Sequence, residues 1–262
     1  MNTQGVGRNP WIRRFHPATD ADRALVCFPH AGGCASSYLA FSTALSPAVD
    51  VLAVQYPGRQ DRIDEACVDS IAELADAVTA ELRPWADRPL MLFGHSMGAT
   101  VAFEVALRLE RAGIVPLTVF VSGRAAPSTQ RTQEAERGDA ELVAELKALG
   151  GTDATVLEDE EVLQLALPAI RGDFRAVARY RYAGAPPLRA PVQAHVGLDD
   201  PRVTVEEARA WADHTSGGFA LHTYPGGHFY LDEHAPRVIG AIAGTSSPSV
   251  RRGGGPLGGR SS

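Results

Sequence analysis

A serine hydroxyl becomes a useful nucleophile only beside a base that takes its proton. One serine of this chain stands where that chemistry is built. Ser96 lies in Gly94-His95-Ser96-Met97-Gly98, directly after the apolar run LMLF and directly before a helix-forming run. A strand-to-helix turn of this kind is too tight for bulky neighbours, so glycine flanks the serine on each side. The serine then projects above the sheet edge with a helix N-terminus behind it. That terminus offers free N–H groups and a partial positive charge to a developing oxyanion.

The base comes from one of eight histidines. His228, in Gly226-Gly227-His228-Phe229, is the best placed: it follows the last expected strand and precedes the last expected helix. His214 and His222 read as a helix and a strand residue, and the His95 side chain should point away from Ser96. The group that orients the imidazole should fall between serine and histidine in chain order. Asp199 and Asp200, in GLDDP after the run VQAHV, compete for that place. Asp200 is preferred because it stands three residues past the strand-ending glycine, with Pro201 fixing the backbone beside it. The oxyanion hole needs a second amide besides that of Met97. Phe28-Pro29-His30-Ala31-Gly32-Gly33 has the position and glycine content of such a loop, with the Ala31 N–H as donor. His30 either shapes this loop or lines the site as a substrate-binding residue.

The elements that must carry these residues alternate. Apolar runs at 24–28, 51–54, 90–93, 117–121, 192–196 and 219–224 suit strands covered on both faces. Helical spacing appears at 71–82, 97–111, 205–214 and 235–243. The expectation is an α/β fold with a mostly parallel central sheet flanked by helices. From about 128 to 184 the rhythm breaks into amphipathic helical segments at 141–149 and 161–181, without a strand. A crossover needs about a dozen residues. The surplus suggests a helical lid inserted in a single domain of residues 1–244. The tail 245–262, rich in Gly, Ser, Pro and Arg, is expected to be disordered.

Composition excludes other classes. A net charge of −6 and a pI near 5.8 argue against a nucleic-acid binder. No window holds the ~18 apolar residues of a membrane span, and the N-terminus lacks an apolar signal core. Three cysteines, Cys27, Cys34 and Cys67, are no disulfide framework and read as free thiols in a reducing cytoplasm. No metal-ligand pattern or phosphate-cradling loop occurs, so no cofactor is expected.

The chain resembles the type II thioesterases of polyketide and nonribosomal peptide biosynthesis, members of the α/β-hydrolase superfamily. The resemblance rests on FPHAGG (28–33), YPGR (56–59), GHSMG (94–98), SGRAAP (122–127), LPAIRGDF (167–174), GLDDP (197–201) and PGGHF (225–229), in family order. It implies removal of short or aberrant acyl groups from the phosphopantetheine arm of an acyl or peptidyl carrier protein. It also implies Ser96, Asp200 and His228 as triad, Ala31 and Met97 as oxyanion donors, and a monomer. Arg59 and Arg62 are candidates for a local basic docking patch. The rival readings are a carboxylesterase or lipase, a product-releasing or cyclising thioesterase domain, and a catalytically dead α/β-hydrolase used as a binding module.

Overall fold

A computed structural model describes residues 9–129, 138–150 and 159–245; the tail expected to be disordered lies outside them, apart from its first residue. Seven strands form one sheet: β1 Ile12–Arg13, β2 Ala24–Phe28, β3 Asp50–Val54, β4 Leu90–His95, β5 Thr118–Ser122, β6 Val192–Gly197 and β7 Phe219–Tyr224. Their order is β1-β3-β2-β4-β5-β6-β7. All neighbours pair in parallel except β1, a two-residue antiparallel edge on β3. Among the described residues the α-helices are α1 Leu39–Leu45, α2 Ile71–Leu82, α3 Met97–Arg111, α4 Asp139–Leu149, α5 Glu160–Arg179, α6 Val205–Arg209 and α7 Leu231–Ala243.

The continuous apolar runs have their cause in this layering. β2, β3, β4 and β5 are buried along their whole length. On one face Leu74, Val78, Val101 and Val105 of α2 and α3 pack on Val26, Leu92 and Val119. On the other, Phe41, Leu45, Val238 and Ile242 of α1 and α7 pack on Leu25, Met91 and Phe93. Ser70 caps α2 by accepting the Glu73 N–H, and Thr204 and Glu207 form a reciprocal box at the start of α6.

Strand order sets the location of the site. The chain runs from β2 outward to β3 and then returns to β4 on the other side of β2. This reversal is the topological switch point, where open α/β sheets bind ligands beyond the carboxyl ends of the strands. Phe28 is in register with Gly94, so the loop after β2 and the turn after β4 leave the sheet side by side. α4 and α5 fall between β5 and β6 in chain order, and Leu142, Leu146, Leu163, Leu167 and Ile170 make a separate small core between them.

Candidate active site

Ser96 has a positive φ, 53°, with ψ −117°, at the N-cap of α3. A non-glycine residue there stores about 1–3 kcal/mol of strain, which the surrounding packing must hold. The two glycines show how tight that packing is. A Cβ on Gly94 would overlap the Gly98 carbonyl, and one on Gly98 would overlap the Phe28 carbonyl oxygen and lie 2.7 Å from that of Pro29. The elbow is therefore pressed against both the helix it starts and the loop after β2.

His228 leaves β7 and must cross the ends of β6 and β5 to reach Ser96. Two further glycines clear that path. A Cβ on Gly197, at the end of β6, would overlap the Gly227 carbonyl, and one on Gly123, just past β5, would meet the His95 ring at 2.6 Å and the His228 ring at 3.4 Å. The His228 ring is thereby brought to Ser96, with Nε2 3.0 Å from Ser96 Oγ and Nδ1 2.8 Å from Asp200 Oδ2. A carboxylate only accepts, so Nδ1 carries the proton and the Nε2 lone pair faces the serine hydroxyl. Asp200 is held in turn: its Oδ1 accepts the Arg202 N–H at 2.8 Å. The side chains of His228 and Asp200 are 3% and 0% exposed, which keeps this line of hydrogen bonds out of competing water. Asp199, the competing aspartate, is exposed, and its N–H is bonded to the Gly226 carbonyl at 3.0 Å.

The Met97 N–H is the first of α3, where no intrahelical carbonyl reaches. In the loop after β2, the Gly32 N–H goes to Asp173 Oδ2 at 2.8 Å and the Gly33 N–H to the His30 carbonyl at 2.9 Å. Among the described residues, the Ala31 N–H has no protein acceptor. Ala31, Met97, Ser96 and His228 all open onto one cavity of about 520 Å³. His30 is not part of its wall. Its ring lies edge-on to Phe229 at 4.9 Å and to His95 at 6.2 Å, under the Gly33 backbone.

His95 points away from Ser96 into the protein, with Nδ1 2.8 Å from Ser122 Oγ and its ring 5.1 Å from that of His228. Burial, reinforced by the neighbouring His228 and His30, holds its imidazole well below the usual range. His95 is therefore neutral and does not compete electrostatically with a charge forming on His228. Tyr230 extends the network, its hydroxyl 2.5 Å from Ser122 Oγ.

Several residues were not assigned to the site by their sequence. Arg124 and Arg202 stand on the cavity wall with Phe174, Tyr180 and Arg181. Burial, with the Arg202 charge adding to it, pushes Arg124 down to about 10. Asp173 ties α5 to the loop after β2. Its signal is its place on α5: it follows Leu163, Leu167 and Ile170 at helical spacing, a carboxylate on the buried stripe. Arg59 and Arg62 form no exposed basic patch. Both are buried: Arg59 pairs with Asp173, and Arg62 pairs with Glu65 and lies over the Trp11 ring at 4.4 Å. A guanidinium spent in this way is shielded from any docking partner.

The strand order and the hydrogen-bonded serine, histidine and aspartate define an α/β-hydrolase. Comparison with known proteins narrows the class. The model of the thioesterase domain matches residues 23–245, and the chain belongs to that family. A probable cadicidin biosynthesis thioesterase of Streptomyces griseus is 49% identical over 239 residues, which span 91% of this chain and 66% of that protein. Thioesterase PikA5 of Streptomyces venezuelae is 48% identical over 236 residues, 89% of this chain and 84% of that one. Among solved structures, the type II thioesterase BorB from the borrelidin biosynthetic cluster superposes with a TM-score of 0.85 at 53% identity, covering 90% of this chain and 97% of BorB. Among the described residues no helix is long and apolar enough to cross a membrane, and no cluster of three or more His, Cys, Asp or Glu could hold a metal ion.

Proposed function

We propose that this chain is a type II thioesterase that hydrolyses short or aberrant acyl groups from the phosphopantetheine arm of an acyl or peptidyl carrier protein. The observation that carries the reading is the unbroken line Asp200–His228–Ser96, at 2.8 and 3.0 Å, ending at the wall of the cavity. The relatives named as thioesterases support the choice of thioester over oxygen ester.

In this reading His228 Nε2 takes the Ser96 proton as Oγ attacks the thioester carbonyl. The negative oxygen of the tetrahedral intermediate accepts the Ala31 and Met97 N–H groups. His228, now an imidazolium held by Asp200, gives its proton to the departing thiol. Water then enters, loses its proton to His228 and attacks the acyl-Ser96 ester; collapse of that second intermediate frees the acid and restores the hydroxyl. Helices α4 and α5 serve as the lid over the cavity, and His30 holds the oxyanion loop in shape without touching substrate. The enzyme acts as a cytoplasmic monomer without a cofactor.

The deciding experiment compares kcat/KM for one short acyl group on a holo carrier protein and as a small oxygen ester, with Ser96→Ala as the blank. Ser96→Ala is expected to fold normally, to lose turnover and to lose labelling by a serine-directed fluorophosphonate. Strong preference for the carrier thioester supports the proposal. Equal or better turnover of the simple ester assigns a general esterase, and an unlabelled wild-type Ser96 assigns a non-catalytic scaffold.

A further inference from the structure

Asp173 is 1% exposed, yet it is a carboxylate in the middle of α5. Burying an unpaired charge costs many kcal/mol, so its partners matter. Its Oδ2 accepts the Gly32 N–H at 2.8 Å and Arg59 Nη1 at 2.7 Å, and its Oδ1 accepts Arg59 Nη2 at 2.9 Å. Arg59 Nη1 also donates to the Gly33 carbonyl at 3.0 Å, and Arg59 Nε to that of Pro57 at 3.3 Å. The two residues that follow Ala31 are thus held from outside the loop, Gly32 by the carboxylate and Gly33 by the guanidinium. The His30 carbonyl closes the turn on the Gly33 N–H at 2.9 Å. Gly32 sits at φ +76°, and a Cβ there would lie 3.2 Å from Ile170 Cγ1, so α5 also packs directly on the turn.

A short turn fixed at its last two residues has little freedom at the one before. We propose that Asp173 and Arg59 are positioning residues that aim the Ala31 amide at the reacting carbonyl, so that the seating of α5 and the assembly of the oxyanion hole are one event. The proposal rests on the acyl-transfer reading of Ser96, and it applies to ester and thioester alike. Neither residue touches substrate. An oxyanion donor acts through sub-ångström placement, and a misplacement of about 1 Å in such a group costs on the order of 100-fold. The pair is tuned for this use: a carboxylate accepts several N–H groups at once, and only the planar fork of arginine pairs with it bidentately.

The test uses the full chain and three variants, Asp173→Asn, Arg59→Lys and the distant surface control Asp76→Asn. Each is assayed on an acyl-N-acetylcysteamine thioester and on the matching small oxygen ester. Binding of a trifluoromethyl ketone that carries the same acyl group is measured alongside. The ketone forms a hemiketal with Ser96, and its oxyanion occupies the same hole. Arg59→Lys keeps the charge but loses the fork, and is expected to lower kcat about 10- to 100-fold with KM within about 2-fold. Ketone affinity should fall by the same factor as kcat/KM, with Asp173→Asn at least as impaired and Asp76→Asn unchanged. A merely structural staple would lower the melting temperature and leave kcat and ketone affinity, per folded molecule, within about 2-fold; that result overturns the proposal. If Asp173→Asn does not fold, Arg59→Lys decides. Wild-type enzyme that cleaves the oxygen ester but no thioester sinks the thioesterase reading while the variants still report on the loop.

Discussion

Asp200→Asn tests the hydrogen-bond line at its least forgiving point. The substitution is isosteric, but the Arg202 N–H that donates to Oδ1 at 2.8 Å can only donate. It selects the amide orientation that keeps an oxygen there, and the Asn NH₂ then faces His228 Nδ1, 2.8 Å from the present Oδ2. Nδ1 must become the acceptor, so Nε2 carries the proton and has no lone pair for the Ser96 hydroxyl. Turning the amide over restores the productive tautomer but sets donor against donor at Arg202, at about 3 kcal/mol. Even then the imidazolium has lost a charge-assisted partner, worth about 2 kcal/mol more. The sum of about 5 kcal/mol, at 1.36 kcal/mol per decade, is a fall in kcat of a few thousand-fold. The same change in another serine hydrolase cost about 10⁴.

The assay is kcat on a short acyl thioester, with circular dichroism and a melting curve to confirm the fold. Asp199→Asn is the matched control. Its side chain is exposed, its N–H is bonded to the Gly226 carbonyl, and kcat should stay within about 2-fold. A folded Asp200→Asn enzyme that keeps more than about a thirtieth of kcat, or an Asp199→Asn enzyme that is equally impaired, would refute the tautomer argument.

Two further predictions follow from packing and burial. Gly98→Ala sets a methyl against the Phe28 and Pro29 carbonyl oxygens where the turn carrying Ser96 meets the loop after β2. It should destabilise by about 1–3 kcal/mol and lower kcat on the order of 100-fold; unchanged kcat would mean that elbow and loop can part without loss. Burial, with His222 adding to it, pushes His195 down to about 3. Its stabilising effect is complete only above the unfolded value near 6.5 and is lost as pH falls, because the unfolded chain takes up the proton first. Between pH 7 and 5 His195 should therefore remove about 2 kcal/mol. Urea midpoints across that range should fall more steeply for wild type than for His195→Gln, and parallel curves would contradict the assignment.

The fold was legible where burial on both faces wrote continuous apolar runs. The strand at 24–28 matches the fully buried β2; that at 219–224 matches β7, an apolar run of which only Tyr224 is buried. The run at 90–93 proved two residues short of β4, because Gly94 and His95 stay extended to deliver Ser96. What escaped was short or carried a contrary local signal. β1 is two residues long and α1 seven. α7 begins at Leu231 rather than at 235, because Pro236 inside it reads as a helix breaker. The pattern at 205–214 is one α-helical piece, Val205–Arg209, continued as a tighter 3₁₀ turn over Ala210–His214.

The site divides along the same physical line. Ser96, His228 and Asp200 could be placed because each sits at a strand end, marked by glycines that local backbone geometry demands. Arg59 and Asp173 could not, because their partnership spans 114 residues and no local rule links a loop arginine to a helix carboxylate. Charge alone assigned Arg59 to a surface, where most arginines belong. What overrides that prior is periodicity on the other partner. Asp173 falls on the stripe of Leu163, Leu167 and Ile170 that faces the interior, and a carboxylate there requires a cation and N–H donors brought to it. The acid on the apolar face of α5 thus implies a buried basic partner before any coordinate is known. YPGR and FPHAGG supply that partner and the N–H donor. The three motifs are thereby parts of one hydrogen-bonded unit.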